Sequence, residues 1–235
     1  MSAASSAGLP AGMQKPAARA ILFAISSPTS DVVRECFRQF GVDAILDDDP
    51  TGQRLQREKF EACVVALDDP EAPRLIEAAR RSKSNHRILI YGLASSAKQA
   101  LSFAKYGVNA IIDVPVNRTA ALKVVRSSHL LVLNELRRYA RVPIVVNASV
   151  QTEQRIFDAM TVEISAGGMS LKTDRSLLMN SAVVLNFTLP PATEVKVRGS
   201  VAWVNAQEQR IGVRFDPADG HRVRAKEWVE DYLGL

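Results

Sequence analysis

The sequence has 235 residues, 47% apolar and 23% charged, with a net charge of +5, the balance of an ordinary globular protein in one large domain or two small ones. The basic excess is spread out: 17 Lys and Arg face 14 Asp and Glu up to Glu135, and 13 face 11 beyond it, which argues against a nucleic-acid arm or a nucleic-acid partner. No apolar run approaches a membrane span, and Cys36 and Cys63, in apolar surroundings without zinc spacing, read as buried thiols of a cytoplasmic protein.

Residues 1–18, "MSAASSAGLPAGMQKPAA", are small and lack the apolar core of a signal peptide, so a disordered cytoplasmic tail is expected. From 19 onward, short apolar runs alternate with helical patterns. "ARAILFAIS" reads as a buried strand. "SPTSDVVRECFRQFG" reads as a helix with Val33, Cys36, Phe37 and Phe40 on one face and Gly41 as its stop. "VDAIL", "FEACVVALDD", "HRILIYGL" and "NAIIDV" read as further strands. "APRLIEAARRSK" and "SSAKQALSFAKYG" read as helices, the latter closed by Gly107. Such alternation predicts a parallel sheet covered by helices, a flavodoxin-like doubly wound α/β domain over 19–133.

The last helix of that domain runs from about Arg118 to Arg137. Leu122, Val125, His129, Val132 and Leu136 form a stripe only two heptads long. It predicts packing on the helix's own domain, with a homodimer seam as the alternative. His86, His129 and His221 show no metal spacing, and no metal is expected.

Beyond Arg141 the period changes to two. Ile144, Val146, Ala148 and Val150 alternate with polar neighbours. Ile156, Met160, Val162 and Ile164 are expected on one face, with Phe157, Thr161, Glu163 and Ser165 on the other. Val183, Leu185, Phe187 and Leu189 share a face. So do Val195, Val197, Val201 and Trp203, and then Ile211, Val213 and Phe215. Short alternating strands punctuated by Gly and Pro predict a small antiparallel β-barrel over 134–235. "DGHRVRAKEWVEDYL" reads as a closing helix with Val223, Trp228, Val229 and Leu233 apolar, and both tryptophans are expected in the core.

Two motifs carry chemistry. In "NELRRYARVP", Arg137 and Arg141 are four apart, so their guanidiniums share a side whether the segment is helix or strand. Pro143 biases Val142 and its surroundings towards extended backbone. Guanidinium forks match phosphate oxygens bidentately and keep their charge. In "VEISAGGMSL", Glu163 and Ser165 share the outer face of one strand, and Gly167 and Gly168 allow a turn where backbone comes close to a neighbour. A carboxylate there can accept from the N1–H and N2–H₂ edge of a guanine. The alternative for both motifs is solvated arginines and a plain turn.

An R-x-x-x-R pair, then [D/N]-x-S-x-x-G, then a "GSVAWVN…RIGVRF" hairpin on a barrel resembles the PilZ family over about residues 135–235. The resemblance implies a receptor for the bacterial second messenger cyclic di-GMP, with no further cofactor. It also implies that Arg137 and Arg141, assisted by Arg138, grip phosphate and guanine, that Glu163 and Ser165 hold a guanine edge, and that Gly167 and Gly168 let backbone approach. The chain departs from the family where Glu163 stands for Asp or Asn; the extra methylene has to bend or push the base outward.

The N-terminal domain is similar to response-regulator receivers in architecture only. The acidic pair that seats magnesium in receivers reads Ser26 and Ser27 here. The hydroxyl position reads Gly92 and the lysine position Val114, while Asp68 or Asp69 could sit where a phosphoacceptor belongs. Without that pair phosphoryl transfer lacks its charge neutralisation, so a degenerate receiver is expected. No nucleophile–base constellation and no phosphate-cradling loop is present, so no enzyme is expected. The expectation is a non-catalytic effector in which cyclic di-GMP reorients the domains and alters contact with a protein partner. The alternative is a PilZ-like scaffold that no longer binds nucleotide.

Overall fold

The computed structural model describes residues 17–234, in two compact units, one built from Ala17–Leu136 and one starting at Arg137. The first sixteen residues of the expected tail lie outside the described residues; strand β1 already begins at Ala18.

In the first unit the chain runs β1 (Ala18–Phe23), α1 (Ser27–Arg38), β2 (Val42–Asp47), α2 (Arg54–Arg57), β3 (Ala62–Ala66), α3 (Ala72–Arg81), β4 (Leu89–Ala94), α4 (Ala97–Ser102), β5 (Ala110–Asp113) and α5 (Arg118–Tyr139). All strand pairs are parallel, in the order β2-β1-β3-β4-β5. That is the flavodoxin-like order, shared by receivers. β3 and β4 are buried along their whole length, as strands covered on both faces must be, which is why they read as unbroken apolar runs.

Three details differ from expectation. The four-residue helix α2 is too short to show a period, and nothing in its sequence announces it. The helix expected over 95–107 is split. Ser96 caps α4 by accepting from the Gln99 N–H, and a 3-10 turn, Ala104–Tyr106, follows before Gly107 enters the left-handed region at φ 78°. On α5 the buried stripe is Ala121, Val125, Ser128, Val132 and Leu136, so Ala121 and Ser128 join it while Leu122 and His129 are only half-buried. Tyr91 of β4 and Ser128 share a 2.6 Å hydroxyl–hydroxyl hydrogen bond. The stripe therefore packs on its own domain's sheet.

The second unit holds β6 (Val142–Pro143), β7 (Asn147–Gln151), β8 (Ile156–Ser165), β9 (Gly168–Lys172), β10 (Ala182–Leu189), β11 (Thr193–Asn205), β12 (Arg210–Phe215) and α6 (Arg222–Leu233). The antiparallel order β8-β7-β10-β11-β12-β9 closes through a β9–β8 pairing into a six-stranded barrel, and β6 adds to the far end of β8. Inward residues of every strand fill it: Val150, Ile164, Leu171, Leu185, Val197 and Val201 are fully buried. From α6, Ala225, Val229 and Leu233 join this core, while Val223, expected there, is exposed. Trp228 packs against the core and donates its indole N–H to the Pro190 carbonyl at 2.5 Å.

Strict alternation fails at two β-bulges. On β8, Thr161 pairs with Leu171 and Glu163 with Ser170, leaving Val162 over. Before the bulge the inward residues are Ala159 and Thr161; after it, Ile164. Ile156 and Met160, expected inside, are therefore 67% and 48% exposed. On β11, Val201 pairs with Val213 and Trp203 with Gly212, leaving Ala202 over. Trp203, expected in the core, is thus turned outward and is 37% exposed. One extra residue switches the face of everything beyond it. No helix among the described residues is long and apolar enough to cross a membrane.

Candidate functional site

The sequence motifs meet on the outer face of the barrel. Arg137 and Arg138 occupy the last turn of α5, which ends at Tyr139, and Arg141 follows in the two-residue link to β6. The chain then enters β6, where Val142 pairs with Ile164 and Pro143 with Glu163. This register delivers Arg141 to Glu163: Arg141 Nη1 stands 3.4 Å from Glu163 Oε1. Arg137 Nε lies 3.8 Å from Glu230 Oε1 of α6. Both motif arginines thus face a carboxylate.

Glu163 points outward because of the Val162 bulge; its partner in β9, Ser170, lies on that same face between the inward Met169 and Leu171. The row continues through Gly212 of β12 to Trp203 of β11, the residue turned outward by the second bulge. A Cβ on Gly212 would collide with the Trp203 indole, so the ring lies flat over that glycine. Arg210 donates to the Ser170 hydroxyl at 3.2 Å. Two bulges on different strands thus place a carboxylate and an aromatic plate in one row. Trp203 escaped the sequence reading because two-residue parity from Val201 sends it inward.

One step along the strands, Ser165 pairs with Gly168 across a tight turn, and the Ser165 hydroxyl donates to the Gly168 carbonyl at 3.0 Å. Gly167 has open space where a Cβ would be, and its carbonyl accepts from the Phe215 N–H at 2.9 Å. A Cβ on Gly168 would run into the Val213 carbonyl oxygen. The close approach that Gly168 permits is therefore that of β9 to β12, within the barrel itself.

In the first unit, the Leu67 side chain occupies the place beside Gly92. A Cβ on Gly92 would come within 2.6 Å of Leu67 Cδ1 and 3.2 Å of Ile111. Leu67 is buried, and its N–H donates to the Leu93 carbonyl at 2.9 Å. Asp68 is exposed, and Asp69 accepts from the Glu71 N–H at 2.7 Å just before α3. An aliphatic side chain thus fills the space beside Gly92, and Asp69 serves a turn. Among the described residues no group of three His, Cys, Asp or Glu could hold a metal ion.

The PilZ domain family model matches residues 135–233. No curated protein matches the chain. Among solved structures, the chain is similar to the PilZ domain of CeSA from a cellulose-synthesizing bacterium, at 14% identity over 40% of this chain and 97% of that one, with a TM-score of 0.34. It is also similar to the chemotaxis response regulator CheY4 of Vibrio cholerae, at 14% identity over 48% and 98%, with a TM-score of 0.44. The Bacillus subtilis inhibitor of motility (MotI/DgrA) matches at 16% identity over 40% and 50%, with a TM-score of 0.34. With a closed antiparallel barrel, its C-terminal helix and the family match all falling on the same stretch, residues 135–233 form a PilZ domain, a module of the cyclic di-GMP receptor family.

Proposed function

We propose that the protein is a non-catalytic, cytoplasmic receptor that binds cyclic di-GMP on the outer face of the barrel. The observation that carries this reading is the convergence of Arg141 and Glu163, 22 residues apart in sequence, at 3.4 Å on an accessible face. Arg137, Arg138 and Arg141 supply guanidiniums to phosphate and to the base. Glu163 and Ser165 offer acceptors to a guanine edge, the exposed Gly167 backbone lets the ligand come near, and the outward Trp203 offers a stacking face.

The resting contacts do not forbid this. A partly exposed ion pair such as Arg141–Glu163 contributes only about 0.2–1 kcal/mol, and a phosphate can engage the guanidinium fork bidentately where Glu163 meets it through one nitrogen. A ligand phosphate can therefore displace Glu163 from Arg141, and the freed carboxylate becomes available to guanine.

Signalling depends on where the arginines stand. Helix α5 starts in the first unit and carries Arg137 and Arg138 in its final turn. Capture of that turn by nucleotide couples binding to domain orientation, and so to a protein partner of the receiver-like domain. This needs the ligand to prefer one orientation over another. An X-ray scattering profile unchanged at saturating nucleotide rules the coupling out while leaving binding intact.

The direct test is calorimetric titration of the full chain with cyclic di-GMP beside Arg137→Ala and Arg141→Ala. Saturable binding that weakens about tenfold or more in each variant is expected. Absence of binding in the parent protein favours the constitutive scaffold instead.

A further inference from the structure

The barrel register runs past the motif. Ser165 of β8 pairs with Gly168 of β9, Gly168 with Arg214 of β12, and Arg214 with Ser200 of β11. Val213 and Phe215 on either side of Arg214 are buried, so alternation turns Arg214 outward, onto the face that carries Glu163 and Ser165. About 10 Å, two inter-strand spacings, separates Arg214 from Ser165 along the row. The residue between them is glycine, with no side chain to stand in the way.

Across the face the strands run β6, β8, β9, β12. Arg141 lies at the β6 edge and Arg214 on β12, so the two bracket Glu163 and Ser165 from opposite sides. Beyond Arg214 opens a groove of about 500 Å³ that it lines together with Ala182, Val184 and Ser200, so its side chain stands in accessible space. Its guanidinium also makes no ion pair, although Glu153 and Asp216 line the same groove. Arg137, Arg141, Arg198 and Arg210 each have a carboxylate within 4.0 Å, and among the described residues Arg214 has none.

We infer that Arg214 is a further cation of the nucleotide site, outside both motifs, that contacts a phosphodiester of the ligand across Gly168. The inference rests on the cyclic di-GMP reading above. A cyclic dinucleotide carries a phosphodiester on each side of its ring. Arg137 and Arg141 meet one at the helix end, and Arg214 stands on the opposite flank to meet the other. A guanidinium that holds no ion pair is available to phosphate without first breaking one.

The test is titration of the full chain with cyclic di-GMP, comparing the parent with Arg214→Gln, Arg214→Lys, Arg141→Ala and Lys196→Ala. Lys196 is exposed on β11 in a different row, so its removal controls for general loss of positive charge. Arg214→Gln, which keeps most of the stem, is expected to weaken binding about tenfold to a hundredfold. Arg214→Lys should lie between, keeping charge without the fork, and Lys196→Ala should match the parent. Thermal melts of both Arg214 variants should match the parent, since the side chain makes no ion pair that folding depends on. Parent-like binding by Arg214→Gln, together with loss of binding in Arg141→Ala, overturns the assignment of Arg214 and leaves the receptor reading standing. A parent that does not bind overturns both.

Discussion

In the first unit, the space beside Gly92 of β4 is filled by Leu67, a core leucine just beyond the end of β3. In the second, the barrel turns a carboxylate outward and lays an indole over the bare backbone of Gly212. Both are places where one residue type decides what a surface can do. The first is closed by side-chain choice: Leu67 occupies the room that a side chain at position 92 needs, and the Gly–Leu pair is core. The second is opened by an extra residue: Val162 and Ala202 are surplus to the ladder, and each reverses the face of the residues beyond it. A regular α/β core thus hides its groups, whereas an irregular barrel shows them.

If Leu67 is core, Leu67→Ala should cost about 2–5 kcal/mol in denaturant unfolding of the first unit, the range for a buried leucine that leaves a cavity. Gly92→Ser should cost about 1–3 kcal/mol by overpacking. The double variant should cost less than the sum, because the smaller residue at 67 makes room for the hydroxyl. A neutral Leu67→Ala would undo the contrast.

On the barrel side, Gly168→Ala should lower stability by about 1–3 kcal/mol, because the added methyl meets a backbone carbonyl that cannot swing away. Gly212→Ala meets the movable Trp203 ring first, so its cost should be smaller and should appear as a red-shifted indole emission. Equal costs would mean that the two glycines serve one purpose, contrary to the geometry.

Asp219 supplies a pH signature. Its carboxylate accepts from the backbone N–H groups of Arg198 and His221 at 2.8 and 2.9 Å, which hold it well below the usual carboxylate range. A depressed folded-state value stabilises the fold above the ordinary value of 3.8, and that contribution is lost as pH falls through and below it. Asp219→Asn should lower the melting temperature at neutral pH and flatten the acid-side decline, as read by melts from about pH 2 to 7. The smallest effect is expected from Glu230→Gln. Removing the carboxylate beside Arg137 should tighten cyclic di-GMP binding a few-fold, in line with the modest strength of a half-exposed pair.

Much of the first unit was legible because each buried parallel strand is a continuous apolar run, bounded by glycine, proline or a cap. α2 was not, since four residues carry no period, and the break before Gly107 depends on a backbone turn that apolar spacing does not encode. In the barrel, β7, β10 and β12 obey parity and are read directly. β8 and β11 are not, because a bulge is a property of two strands in register and leaves no mark on one. The site motif survived that failure by position: Glu163, Ser165 and Gly168 all lie beyond the β8 bulge, so their mutual spacing is undisturbed. Trp203, Glu230 and Arg214 are set by pairings between distant segments, which no local pattern announces.

The surplus residue on β8 also limits what point substitution can reveal. Replacing Val162 by any other residue keeps the chain the same length, so Glu163 keeps its orientation whichever side chain stands before it. A site-by-site alanine survey would therefore score position 162 as indifferent, although the extra backbone unit there separates a buried carboxylate from an accessible one. What carries the information is a count of residues. Deleting the single residue at 162 would by itself turn Glu163 towards the core, because the side-chain period along a strand is two.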